Sequence, residues 1–311
     1  MEKSKSRHIS CEIETGTCGS GEEGQIEEVQ LNLQERVQLI YYTDPICSAC
    51  WAIEPYLKKF ELEYGEYLRI EHKMGGLLPG WKGFADRANG ISRPSDVAHH
   101  WDEVGQLTGM SIDGDIWVED PLESSFPPSI AFKAAQRQGE AFAVCFLRRI
   151  REQLFLEKKN ITKEAVLLEA INDCQGDSGQ FLKDYHDPAT EQSFHVEKRM
   201  RKTYGVRGFP TFIFIGKDGK GYRISGTSGY ENYVLALEKA YGKTLTPAPI
   251  RVSELALVQT YGLLATKEIS TVLSQDAAIT YSNLKQLAEE GAVLHVPHKF
   301  GDFWKKVAVI A

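Results

Sequence analysis

Cys47 and Cys50 are the residues with the most chemistry to offer. They bracket Ser48 and Ala49 in a C-x-x-C spacing. Residues 37–43 before them (Val-Gln-Leu-Ile-Tyr-Tyr-Thr) read as a strand, and residues 51–64 after them read as a helix. A strand feeding a C-x-x-C that opens a helix is an arrangement for dithiol redox chemistry. Unpaired amides and the positive helix end stabilise a thiolate at the first cysteine, and the second, one turn on, is placed to attack a mixed disulfide. On this reading Cys47 is the more exposed nucleophile and Cys50 the buried resolving thiol. Taken alone, the spacing also suits half a zinc site or two core thiols.

A second element narrows the choice. Residues 205–214, Gly-Val-Arg-Gly-Phe-Pro-Thr-Phe-Ile-Phe, resemble the loop and strand that carry the cis-proline of the thioredoxin superfamily, with Pro210 as the cis residue facing Cys47. Residues 211–215 and 222–225 read as strands joined by an Asp-Gly turn, and 228–241 as a closing helix. Residues 67–74 alternate as another strand. Between it and Thr211, helices are predicted over 94–108, 128–139, 140–156, 163–174 (capped by Thr162) and 188–204. A helical insertion over about 76–204 resembles the DsbA-like branch. Cys145 and Cys174 fall on apolar-rich helical stretches and are expected to be buried packing thiols.

The 311 residues carry a net charge of −7 and 42% hydrophobic residues, enough for a sizeable core and a poor match to bulk nucleic-acid or anionic-membrane binding. No apolar run is long enough to span a membrane. Residues 1–8 have no apolar segment behind them, so a secretory signal is not expected and a cytoplasmic location is. Residues 1–35, polar and rich in Glu, Gly and Ser, read as a disordered tail bearing His8, Cys11 and Cys18, three possible zinc ligands of the four that zinc usually needs.

After a DsbA-like domain over 36–242, Pro247 and Pro249 mark 243–251 as an extended linker. Residues 252–311 then read as three short helices and two strands, a winged-helix-like α+β domain. Residues 251–311 hold six Lys or Arg and six Asp or Glu, a balance unsuited to neutralising DNA phosphates. Binding to protein, or plain packing, is the expected role.

The stretch 43–51 (Thr-Asp-Pro-Ile-Cys-Ser-Ala-Cys-Trp), the Met74-Gly75-Gly76-Leu77 turn and the 208–211 loop, with the His/Cys-bearing tail and the extra C-terminal domain, resemble the SpxH (YjbH) family over nearly the full length. The resemblance implies a cytoplasmic adaptor that binds the transcription factor Spx and delivers it to the ClpXP protease, without a cofactor of its own. The alternative is a cytoplasmic thiol–disulfide oxidoreductase or isomerase of the DsbA/FrnE-like kind, with Cys47, Cys50 and Pro210 as its site. Strong oxidants of the DsbA type hold proline and histidine between the cysteines, where this chain has Ser48 and Ala49. The Asp44 carboxylate is expected to oppose thiolate formation, and Phe209 to shield the sulfur. Trp51, Trp81 and Phe209 are the aromatic anchors expected to bind a client.

Overall fold

The computed structural model describes residues 36–87 and 89–307, together with the backbone of two short strands nearer the N-terminus. Those strands, β1 (His8–Cys11) and β2 (Cys18–Gly21), pair antiparallel with Cys11 opposite Cys18. The stretch expected to lack regular structure therefore contains a hairpin. The chain divides into two units, residues 1–35 and 36–311.

In the larger unit, β3 (Val37–Thr43) pairs parallel with β4 (Leu68–Met74) and antiparallel with β5 (Thr211–Ile215), which pairs in turn with β6 (Gly221–Ser225). The order β4-β3-β5-β6 puts β3 in the middle, and its near-continuous apolar run follows from burial on both faces. Val37, Leu39 and Tyr41 face a core shared with Phe60, Phe214 and Leu237, while Ile40 and Tyr42 pack with Val206 and Ile213 on the other side. The first core is closed by α2 (Glu54–Tyr64) and α10 (Tyr230–Tyr241). The expected single helix over 51–64 is two: α1 (Ser48–Ala52) ends at Ile53, and α2 restarts with Pro55 in its first turn, where a missing amide costs no hydrogen bond.

The insertion is a helical layer: α3 (Pro94–Thr108), α4 (Ile116–Glu119), α5 (Phe126–Gln136), α6 (Glu140–Phe155), α7 (Glu164–Asp173), α8 (Ser178–Tyr185) and α9 (Pro188–Thr203). Its boundaries have local causes. Pro94 starts α3 while the Asp96 carboxylate accepts from the Ser92 and Arg93 amides, and Gly109 ends it at φ 71°. Asp177 and Asp187 cap α8 and α9. Thr162 does not cap α7. Its hydroxyl donates to Asn160 Oδ1, and Lys163 occupies the cap position.

Residues 243–251 lie along α2, with Leu245 buried in the core, the Ala248 amide donating to Glu63 O and Tyr67 OH donating to Thr246 O. Two prolines keep the segment extended, but it is bound to the body of the protein. Beyond it come α11 (Glu254–Tyr261), β7 (Leu263–Ala265), α12 (Thr266–Leu273), α13 (Ala277–Glu289), β8 (Val293–His298) and β9 (Gly301–Lys306). The sheet is antiparallel in the order β7-β9-β8, with one strand more than the sequence suggested. The segment does not stand apart as a domain: Ala265 and Phe303 belong to the core of the insertion, and residues 36–311 form one compact unit.

Candidate functional site

The loop after β3 makes a turn in which the Cys47 amide donates to Asp44 O, and Cys47 becomes the N-cap of α1. Its sulfur accepts from the Cys50 amide at 3.1 Å, so a thiol fills the capping position usually held by an oxygen. Across the site, the Phe209–Pro210 peptide bond is cis, as expected. Cys47 is 5% exposed and Cys50 fully buried, so the expected order of exposure holds, but neither sulfur is open to solvent.

A residue overlooked in the sequence sits at this pair. Arg151, in the C-terminal third of α6, is 1% exposed, and its guanidinium donates to Glu54 Oε1 (2.6 Å), Thr43 Oγ1 (2.5 Å) and Asp44 O (3.2 Å). Burial alone would raise both thiols. For Cys50 it is outweighed by the hydrogen bond with Cys47, the Arg151 charge, the Thr43 hydroxyl and the Asp44 backbone, so that thiol lies below its ordinary value. Burial and the neighbouring sulfur push Cys47 up. With Cys50 held down and Cys47 held up, one thiolate at the pair is favoured over two. The helix start alone does not make Cys47 the acidic thiol.

The Asp44 side chain is held from three sides. It accepts from the Ile46 amide (3.2 Å), the Leu77 amide (2.7 Å) and the Ser125 hydroxyl (3.0 Å). It ties the loop after β3 to the Gly75–Gly76 turn and to the start of α5. Burial raises its pKa to about 6 against these hydrogen bonds.

The three aromatic candidates separate. Trp51 is fully buried: its indole donates to Ser111 O, its ring stacks on Phe303 (6.3 Å, 3°), and the Arg148 guanidinium lies 4.5 Å from the ring centroid. It is a core residue, not an anchor for a client. Trp81 is half-buried, donates to Leu122 O and packs edge-on against Phe84 and Trp117. Phe209 is also half-buried and lies over Gly75, where an added Cβ would fall 1.8 Å from its ring. With Leu77, Ile91 and His100, these two rings wall a cleft of about 170 Å³ beside Cys47.

His8, Cys11 and Cys18 have their backbones in the β1–β2 hairpin, but their side chains lie outside the described residues. Among the described residues, no three His, Cys, Asp or Glu side chains cluster as a metal site. No described helix is long and apolar enough to cross a membrane. Cys145 and Cys174 are not packed away as expected: Cys145 is exposed and Cys174 half-exposed.

A thiol pair at a helix start, a cis-proline loop opposite and a helical layer between the second and third strands of the sheet define a DsbA-like thioredoxin fold. The family described as thioredoxin matches residues 41–235. Solved structures of similar fold include a Nitrosomonas europaea protein assigned as a protein disulfide isomerase (TM-score 0.55, 19% identity, 67% of this chain and 97% of that one). Another is a Streptomyces coelicolor protein assigned as a DsbA oxidoreductase (TM-score 0.52, 15% identity, 70% and 94%). Curated relatives match further along the chain. The ClpXP adapter protein SpxH of Halalkalibacterium halodurans is 32% identical over 299 residues, covering 95% of this chain and 96% of its own. That of Shouchella clausii is 33% identical over 297 residues with the same coverage, and that of Bacillus subtilis 29% identical over 276. The chain belongs to the SpxH family of thioredoxin-like proteins.

Proposed function

We propose that this protein is a cytoplasmic adapter that binds Spx and promotes its degradation by ClpXP without disulfide exchange. The observation that carries the reading is the match to ClpXP adapters along 95% of the chain, including the C-terminal unit that builds the same core as the thioredoxin-like part. The site supports it. Both sulfurs are buried, and Phe209 narrows the approach. An adapter raises the local concentration of a client at the protease, which needs a complementary surface and no covalent intermediate. Trp81 and Phe209 remain the aromatic groups available to such a surface. The Lys299 ammonium is held by Asp102, Asp113 and Asp115, which leaves the winged-helix-like unit one cation fewer to offer nucleic acid. Zinc held by His8, Cys11 and Cys18 in the N-terminal hairpin is part of the proposal. Truncation of residues 1–30 should then lower the metal content of the reduced protein.

The second reading, a thiol–disulfide oxidoreductase, rests on the Arg151 charge beside the pair, which favours a thiolate. Reconstituted degradation of Spx by ClpXP separates the two. The variant with Cys47→Ala and Cys50→Ala should stimulate degradation within about twofold of the native protein. Loss of stimulation with the fold intact would favour the redox reading.

A further inference from the structure

Two thiols outside the cleft described above meet between α6 and α7. Cys145 lies in the second turn of α6, and Cys174 is the residue that ends α7. Both thiols are free. They share the wall of a second cleft, about 400 Å³, with Arg148, Arg149 and Asp173. Unlike Cys47 and Cys50, they face outward: Cys145 is exposed and Cys174 half-exposed. We propose that Cys145 and Cys174 form a second dithiol site, which reacts with low-molecular-weight disulfides and closes to a Cys145–Cys174 disulfide.

The step balances without further reagents. The Cys145 thiolate attacks one sulfur of the small disulfide, whose S–S bond breaks and releases one thiolate. Cys174 gives up its proton and attacks the Cys145 sulfur of the mixed disulfide, expelling the second thiolate. The two protons lost by the cysteines end on the two small thiols released. Two electrons pass from the protein to the small disulfide. The two sulfurs must come to about 2 Å for the bond to form. Cys174 sits where the helix has ended and is followed by Gln175 at φ 61° and by Gly176. The neighbouring Cys174 thiol lowers Cys145 to about 7, against burial and the Glu152 charge, while Cys174 itself is pushed up, so Cys145 is the attacking thiol.

The test uses full-length protein carrying Cys47→Ala and Cys50→Ala, reduced and then exposed to glutathione disulfide at pH 7.5. Acid quenching, alkylation and peptide mass spectrometry follow. A peptide pair linked through Cys145 and Cys174 is expected, with only a transient glutathione adduct on Cys145. Adding Cys174→Ala should trap that adduct. It should also slow iodoacetamide labelling of Cys145 at pH 7 about fivefold, because the fall in thiolate fraction outweighs the gain in nucleophilicity. A lasting adduct on Cys145 with Cys174 present, preferential linkage of either residue to Cys11 or Cys18, or a labelling rate indifferent to Cys174→Ala would each overturn the proposal.

Discussion

Arg151 ties several properties of the site together. It is a buried cation whose partners are a carboxylate at the start of α2, a strand hydroxyl and a loop carbonyl. Removing one member of a buried pair leaves the other uncompensated, so Arg151→Met should cost about 3 kcal/mol in urea unfolding. It should also move the first thiol ionisation of the Cys47–Cys50 pair to higher pH, read by ultraviolet absorbance of the thiolate. Two neighbouring groups titrate in opposite senses. Asp44 is raised to about 6 by burial, so its contribution is fully present below the unfolded value of 3.8 and is lost as pH rises through 6. His72 is lowered to about 4 by burial and by Arg151, so its contribution is present above 6.5 and is lost as pH falls through 4. Between pH 4 and 6 the two slopes oppose each other. Asp44→Asn removes one of them, and the variant should lose stability on acidification through this window more steeply than the native protein, by about 2 kcal/mol. Parallel slopes would mean that Asp44 titrates normally.

The Gly75–Phe209 contact joins the end of β4 to the cis-proline loop. Gly75→Ala would place its Cβ against the Phe209 ring, over which the Arg201 guanidinium lies 5.7 Å from the centroid. Overpacking of this kind costs roughly 1–3 kcal/mol. If the ring moves instead, the cleft beside Cys47 opens and Cys47 should label faster. A stable variant with unchanged labelling would refute the contact. Elements with strong local signals were legible in the sequence. Pro94 and Gly109 fix both ends of α3, and the Asp-Gly turn fixes the β5–β6 hairpin. The short α4, α8 and β7 carry too few residues for periodicity to register. Half the site was legible because Cys47, Cys50 and Pro210 lie in local motifs. Arg151 was not: it reaches the thiols from a helix about a hundred residues on, and only the fold brings it there. The fates of Trp51 and Cys145 depend likewise on what packs over them. Composition makes Trp51 a binding candidate and Cys145 a core thiol, and the tertiary contacts reverse both.

For the whole molecule, the decisive feature is how the C-terminal unit is held. Glu268 on α12 is fully buried and receives both Arg148 terminal nitrogens, at 2.8 and 3.0 Å, while the same guanidinium lies over Trp51, the residue after the C-x-x-C. Phe303 stacks on the other partner in this arrangement, the Trp51 ring, and the Phe300 amide donates to Ser111 Oγ. A tethered domain would melt on its own. A unit that supplies core to its neighbour should not, so residues 36–311 are expected to unfold in one calorimetric transition. Glu268→Ala removes one of the two carboxylates hydrogen-bonded to Arg148, the other being Glu152, and should cost about 3 kcal/mol. The Arg148→Met, Glu268→Leu double variant, in which neither charge remains at the ion pair, should be distinctly more stable than the sum of the two single losses implies. Hydrogen exchange in Glu268→Ala should rise both in α12 and around α1, because Arg148 and Trp51 connect them. Exchange confined to residues 254–306, or a separate low-temperature transition, would show instead that the C-terminal unit folds as an independent module.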